Sequence, residues 1–476
     1  MPTVRAELTW RPLALLVAGA LFMENLDGTI IVTATQRMAL TFGVPVADLN
    51  VAIAAYLLAL GIFIPVSGWV ADRFGARTTF AVATAVFTLA SGLCAISANL
   101  EQLTAMRVLQ GIGGAMMVPV GRLVVLRATT KGDLIKAIAY LTWPALVAPV
   151  VAPVAGGLLT TYASWRWIFV INVPLGFVAF FIALRIVPRA GRPVRLRLDW
   201  LGFAVTATAL ALVAGGLEIV TFGTVKWLPI VLTLVTGAFL MGTSVYYLSR
   251  SSNPLLNLGV FQVHTFRVTN VGGSLFRMAI GAAPFLLPLL FEEGFGWGPV
   301  KASLVVVPIF VGNIAVKPLT TPILRRWGFR TVLITSCLVS GATLALCATF
   351  TLGLPFAIVV LVLLASGVSR SVGYTAYNTI VFADVGEGEM NNANTLTTTI
   401  QQLTVGFGVA VGGLALHAGP PIDHLLGASG RGPEPFTVAF LLIAVLPLLG
   451  AIECAWLSRD AGSALTTPAP PVQPAS

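Results

Sequence analysis

Charge is scarce in this chain. Of 476 residues only 10% are Asp, Glu, Lys or Arg, whereas 57% are hydrophobic. A soluble domain of this size could not keep so much apolar surface from water, so the solvent is lipid. Cysteine is nearly absent as well. Cys94, Cys337, Cys347 and Cys454 fall within or at the end of long apolar runs without C-x-x-C spacing, and His264, His417 and His424 form no ligand cluster. Structural disulfides, a metal site and a cofactor are therefore not expected. No G-x-x-x-x-G-K-[ST] loop occurs, so ATP is not the expected energy source, and no catalytic triad or membrane-protease pair points to an enzyme. The net charge of +10 comes without a basic stripe or nucleic-acid motif, so nucleic acid is not an expected partner.

What the chain does have is apolar length. Stretches of about 20 apolar residues, each enough to cross a bilayer, number fourteen on our reading, the first over 13–34 and the last over 436–457. This predicts an all-α integral membrane protein with both termini on one side. Arg5 and Arg11 precede the first stretch as in a signal peptide, but the run continues and a second follows, so it reads as a retained helix. With the N-terminus inside, the cytoplasmic loops and ends hold eighteen basic residues, and the outer side holds five: Arg37, Arg166, Lys226, Lys301 and Arg431. That bias predicts cytoplasmic termini.

Against this background Glu24 and Asp27, inside the first stretch, are conspicuous. An ionisable group at the bilayer centre costs about 2.5–3.5 kcal/mol on insertion scales and persists mainly where it faces a cavity or handles protons and ions. Three residues apart, the two share a helix face, roughly 5 Å from each other along the axis. Asp27 is expected to carry a coupling proton and Glu24 to help attract cationic substrates. A purely structural role, as polar residues bonded within the bundle, is the plainer alternative. Arg107, Arg277, Lys317 and Arg370 also lie within spans. Snorkelling to the interface is the simple account for Arg107 and Lys317; Arg277 and Arg370 lie deeper and need partners.

The chain also repeats. Arg73-Phe74-Gly75-Ala76-Arg77-Thr78 returns as Arg326-Trp327-Gly328-Phe329-Arg330-Thr331 at an offset of 253, and Gly156-Gly157 as Gly412-Gly413 at an offset of 256. Six spans, two added, then six more give that spacing. The expected organisation is a six-helix half over 1–190, a linker with two inserted helices over 191–255, a second six-helix half over 256–460, and a disordered cytoplasmic tail over 461–476. Two related halves around a midplane site are a common transporter architecture.

Several motifs carry a family resemblance. The stretch Gly68-Trp69-Val70-Ala71-Asp72-Arg73-Phe74-Gly75-Ala76-Arg77 resembles the signature loop between helices 2 and 3 of the major facilitator superfamily. Leu26-Asp27-Gly28-Thr29-Ile30 resembles the first-helix motif of its fourteen-span drug–proton antiporter branch, the EmrB/QacA type. Arg107-Val108-Leu109-Gln110-Gly111 is similar to the fourth-helix motif, and Pro153-Val154-Ala155-Gly156-Gly157 to the helix-5 antiporter motif. The run Trp165 to Pro174, and Ala393 to Leu396 with Gln401-Gln402-Leu403, also look like this branch. Ala152 and Ala148 stand where that motif usually has glycine.

The resemblance implies a major facilitator fold of two six-helix halves plus an inserted two-helix hairpin. It assigns Arg107 to proton transfer, has Asp72 latch onto the second half at a helix N-terminus, and gives Gly68, Arg73, Gly75 and Arg77 to the same conformational switch. Pro153, Gly156 and Gly157 would form the flexing helix that accompanies antiport. The implied activity is proton-coupled export of drug-like, lipophilic cationic molecules by alternating access from the bacterial inner membrane, with Arg277 and Arg370 near the path. Export of a specific metabolite, a natural antibiotic, or an organic anion or siderophore, and a non-transporting sensor on the same fold, are the alternatives. The expected partners are substrate, protons and membrane lipids, with a periplasmic adaptor in double-membraned bacteria; the chain is expected to be a monomer.

Overall fold

The computed structural model describes residues 3–189, 197–222, 227–426 and 434–466. The principal helices are α1 (Thr3–Ile30), α2 (Asn50–Phe74), α3 (Ala76–Ala95), α4 (Leu100–Ala128), α5 (Leu134–Tyr162), α6 (Asn172–Ile186), α7 (Trp200–Phe222) and α8 (Trp227–Arg250). They continue as α9 (His264–Leu289), α10 (Pro299–Ala315), α11 (Lys317–Cys347), α12 (Phe356–Ile380), α13 (Met390–Leu426), α14 (Glu434–Ala455) and a short α15 (Ser463–Thr466). Helix is what lipid demands, because it satisfies every backbone polar group within one segment. Among the described residues eleven helices are long and apolar enough to cross a membrane, and three shorter apolar stretches, Val150–Tyr162, Trp200–Gly216 and Leu304–Ala315, accompany them.

The packing repeats as the sequence does. In the first half α1 lies on α5, α2 on α4, and α3 on both α4 and α6. In the second half α9 lies on α13, α10 on α12, and α11 on both α12 and α14. The repeated loops share a backbone device: Gly75 has φ 85° and Gly328 φ 71°, a region that glycine enters without steric cost. Helices α7 and α8 pack on each other, and α7 also touches α2 and α13, one from each half.

Residues 461–466 depart from the expected disordered tail. Leu465 is fully buried, and α15 packs on α11 and on the turn Lys131–Asp133 of the first half. An apolar pair, Ala461 and Leu465, one turn apart, gives this segment a face to bury. Residues 467–476 and the linker residues 190–196 lie outside the described residues.

Candidate functional site: a sealed ion pair beside a cavity between the halves

The site begins with close helix contacts. A Cβ at Gly111 would lie 2.6 Å from the Tyr56 carbonyl oxygen, so only glycine lets α4 approach α2 this closely. That approach turns Arg107 and Gln110, on the same stretch of α4, toward Asp27 on α1. Asp27 is fully buried and paired with Arg107. Its Oδ1 also accepts from Gln110 Nε2 at 2.9 Å and from Asn172 Nδ2 at 2.9 Å. Gln110 is fixed in turn, accepting from Arg107 Nη1 at 2.7 Å and donating to Ser91 Oγ at 2.6 Å. The Tyr56 ring lies 4.2 Å from the Arg107 guanidinium carbon, a cation–π contact. Arg107 is therefore not snorkelling; it is wholly enclosed.

Glu24 has a different environment. It lines a cavity of about 500 Å³ between the halves, and its Oε2 has no hydrogen-bond partner among the described residues. The charge of Asp27 is compensated in place by a cation and two amides; that of Glu24 is not. Two carboxylates one turn apart thus have separate environments, one sealed and one open to the cavity.

The other intramembrane cations find neutral partners. Arg277 donates to Asn378 Oδ1 at 3.4 Å and faces the rings of Tyr374 and Tyr377. Lys317, also buried, donates to Thr142 Oγ1 at 3.1 Å and Thr375 Oγ1 at 2.9 Å. Arg370 donates to the Ile280 carbonyl at 3.0 Å. That carbonyl lacks its helical donor because residue 284 is proline, so Arg370 serves the backbone rather than the cavity. Sequence reasoning did not single out Arg122, which lines the cavity and donates to Gln401 Oε1 at 3.4 Å and Asn378 Oδ1 at 3.3 Å. Its signal was present: a charge well inside the fourth span, fifteen residues past Arg107.

The switch loop lies beside the second half. Asp72 pairs with Arg127 of its own half at 3.5 Å and lines a cavity with Gly388, Asn391 and Asn392 at the entrance to α13, where Glu387 and Glu389 also stand. Arg73 and Arg77 are half-buried at the same face. The link to the second half runs through amides: Asn391 Nδ2 donates to the Gly68 carbonyl and Asn394 Nδ2 to the Pro119 carbonyl, both at 2.9 Å. Gly68 has no room for more, since a Cβ there would meet Thr395 Oγ1 at 2.6 Å. Lys131 to the Ala383 carbonyl and Arg325 to the Gly132 carbonyl close the same face. The hydrogen bonds that Arg122, Lys131, Lys317, Arg325, Asn391 and Asn394 make between the halves lie on this face or at the level of the cavity. In the helix-5 motif, Gly156 packs against Ile30 and Thr33 at the end of α1, Pro153 points outward, and Gly157 has open space beside it.

Comparison with known proteins places this geometry. The sequence profile of the Major Facilitator Superfamily matches residues 17–409 and, in a second match, 269–475. The Haemophilus influenzae protein named "Probable transport protein HsrA" is 33% identical over 432 residues, 91% of this chain and 92% of its own. The Citrobacter koseri protein named "Putative multidrug resistance protein MdtD" is 33% identical over 452 residues, 94% of each chain. Among solved structures, the proton:xylose symporter XylE aligns with TM-score 0.65 at 14% identity over 97% of this chain and 98% of its own. The human organic anion transporter MFSD10 aligns with TM-score 0.62 at 14% identity, over 94% and 99%; both share the fold. This chain belongs to the Major Facilitator Superfamily of membrane transporters.

Proposed function

We propose that this protein is a proton-coupled exporter of drug-like small molecules that works by alternating access in the bacterial inner membrane. The carrying observation is the juxtaposition of the sealed Asp27–Arg107 pair with Glu24, which faces a cavity between the halves. The name of the MdtD relative supports the drug-export reading. In this reading the chain has fourteen spans, two six-helix halves and the inserted pair α7 and α8, with both termini cytoplasmic. The matching helix pairings in the two halves support it. The face closed by Asn391, Asn394, Lys131 and Arg325 is then cytoplasmic, and the conformation is one in which the cavity is shut off from the cell interior.

A proton entering the cavity meets Glu24 first and passes from there to Asp27. Protonation of Asp27 removes the anion that holds Arg107 and so loosens the tie between α1 and α4, which also carries part of the cavity wall. Inward proton movement is driven partly by the membrane potential, about 2.3 kcal/mol per charge per 100 mV.

The test is compound-driven proton flux in proteoliposomes, with a panel of lipophilic cations, anions and neutral compounds. A compound that elicits flux in the native protein should elicit about tenfold less in Asp27→Asn and less also in Glu24→Gln, which leaves the buried pair intact. Undiminished pH-driven transport by Asp27→Asn would end the coupling proposal.

A further inference from the structure

We propose that Arg122, Arg277 and Asn378 form an anion subsite at one end of the cavity, and that the transported molecule carries an acidic group on an apolar body. This deepens the exporter reading and rests on it for transport, though not for binding. Arg122 Nη2 and Arg277 Nη2 reach the same atom, Asn378 Oδ1, at 3.3 and 3.4 Å. That oxygen already accepts from Gln401 Nε2 at 2.8 Å. An amide oxygen has two lone pairs, so three donors oversubscribe it, and the two guanidinium bonds are the long ones. Two cations are thus drawn together on one neutral acceptor, with no carboxylate within 4.0 Å of either among the described residues.

The arrangement has spare donors, and Arg122 and Asn378 give it an approach from the cavity. Arg277 is buried behind that wall, with Nε and Nη1 lacking a hydrogen-bond partner. Arg122 lines the cavity itself, and Lys317 stands behind Thr142, another lining residue, held only by hydroxyls. Cations inside a membrane protein ordinarily pair with acids or backbone carbonyls; Arg107 and Arg370 do so here, and these three do not. A carboxylate or sulfonate offers the two oxygens that a guanidinium fork binds in parallel. Leu57, Leu60, Ile64, Ile138 and Leu141 give the remaining wall an apolar character suited to the body of such a molecule.

Glu24 does not cancel this charge. A Cβ at Gly114 would lie 3.7 Å from its carboxyl carbon, and Gly114 precedes Arg122 by eight residues, roughly 12 Å along α4. The cavity is therefore acidic at one end and basic at the other, with the cations in excess. The lipophilic cation expected from the sequence would meet that excess as repulsion; an anion would not.

Equilibrium binding to the purified full-length protein separates the two, using an aromatic carboxylate series and the matched carboxamides. The native protein should bind the carboxylates about tenfold more tightly, one charge-assisted contact. Arg122→Gln should lose that preference, Arg277→Gln should reduce it, and Arg122→Lys should restore part of it, which a misfolded protein would not do. Equal affinity for acid and amide in the native protein, a preference that survives both glutamine variants, or no binding of any carboxylate at millimolar concentration would overturn the subsite. Anion binding without coupled flux would instead retire the exporter reading and leave the subsite standing.

Discussion

At the residue scale, the same guanidinium serves different ends according to what faces it. Arg107 meets a carboxylate and becomes half of a sealed pair, whose loss of either partner would leave an uncompensated charge. Arg370 meets a carbonyl that Pro284 has stripped of its helical donor. This dependence can be tested by a double-mutant cycle. Arg370→Met should destabilise the protein by about 1–3 kcal/mol, the cost of an orphaned buried polar group. Pro284→Ala restores an N–H at that position, so in its background the same substitution should cost markedly less. Thermal unfolding in detergent measures all four corners. Equal costs with and without the proline would mean that Arg370 does not serve the Ile280 carbonyl.

At the element scale, the contact of α2 with α13 depends on one missing side chain. Gly68→Val would push against Thr395 and prise α13 away from the Gly68 carbonyl that Asn391 binds. In the alternating-access reading the other conformation parts this contact, so the expected result is a shift in conformation with the fold retained. A cysteine placed at Asn394, buried in that contact, should react with a maleimide about tenfold faster in Gly68→Val than in a Gly68 background. Equal rates would show that the contact tolerates bulk. Much at this scale was legible from residue order. Runs of apolar residues are a sufficient instruction for helices in lipid, and the echo of Arg73–Arg77 in Arg326–Arg330 marks two loops whose glycines the structure places at similar positive φ. The Asp72 partner was not legible, because the acidic turn at Glu387–Glu389 competes with α13's N-terminal dipole and only three-dimensional proximity decides between them. Nor was Arg122, since sequence gives depth in the membrane but not which wall of the bundle a charge faces. The burial of Leu465 was hidden by a polar, proline-rich context that reads as tail.

At the scale of the whole molecule, the distribution of contacts is uneven. Hydrogen bonds join the halves across one face and around the cavity, while each half keeps its own dense set of helix pairings. Such a body has few bonds to break at one face and much rigid structure to carry along, the conditions for rocking rather than for local unfolding. The movement has a measurable consequence. Spin labels at the exposed positions Phe74 and Glu387, one on each half beside the closed face, should give one distance population in the present conformation. Asp27→Asn removes the charge that binds Arg107, so a second, longer population should grow in that variant. Double electron–electron resonance in lipid nanodiscs reads both populations. One and the same population in the native protein and in Asp27→Asn would separate the ion pair from the motion of the halves, and coupling would have to be sought at Glu24 alone.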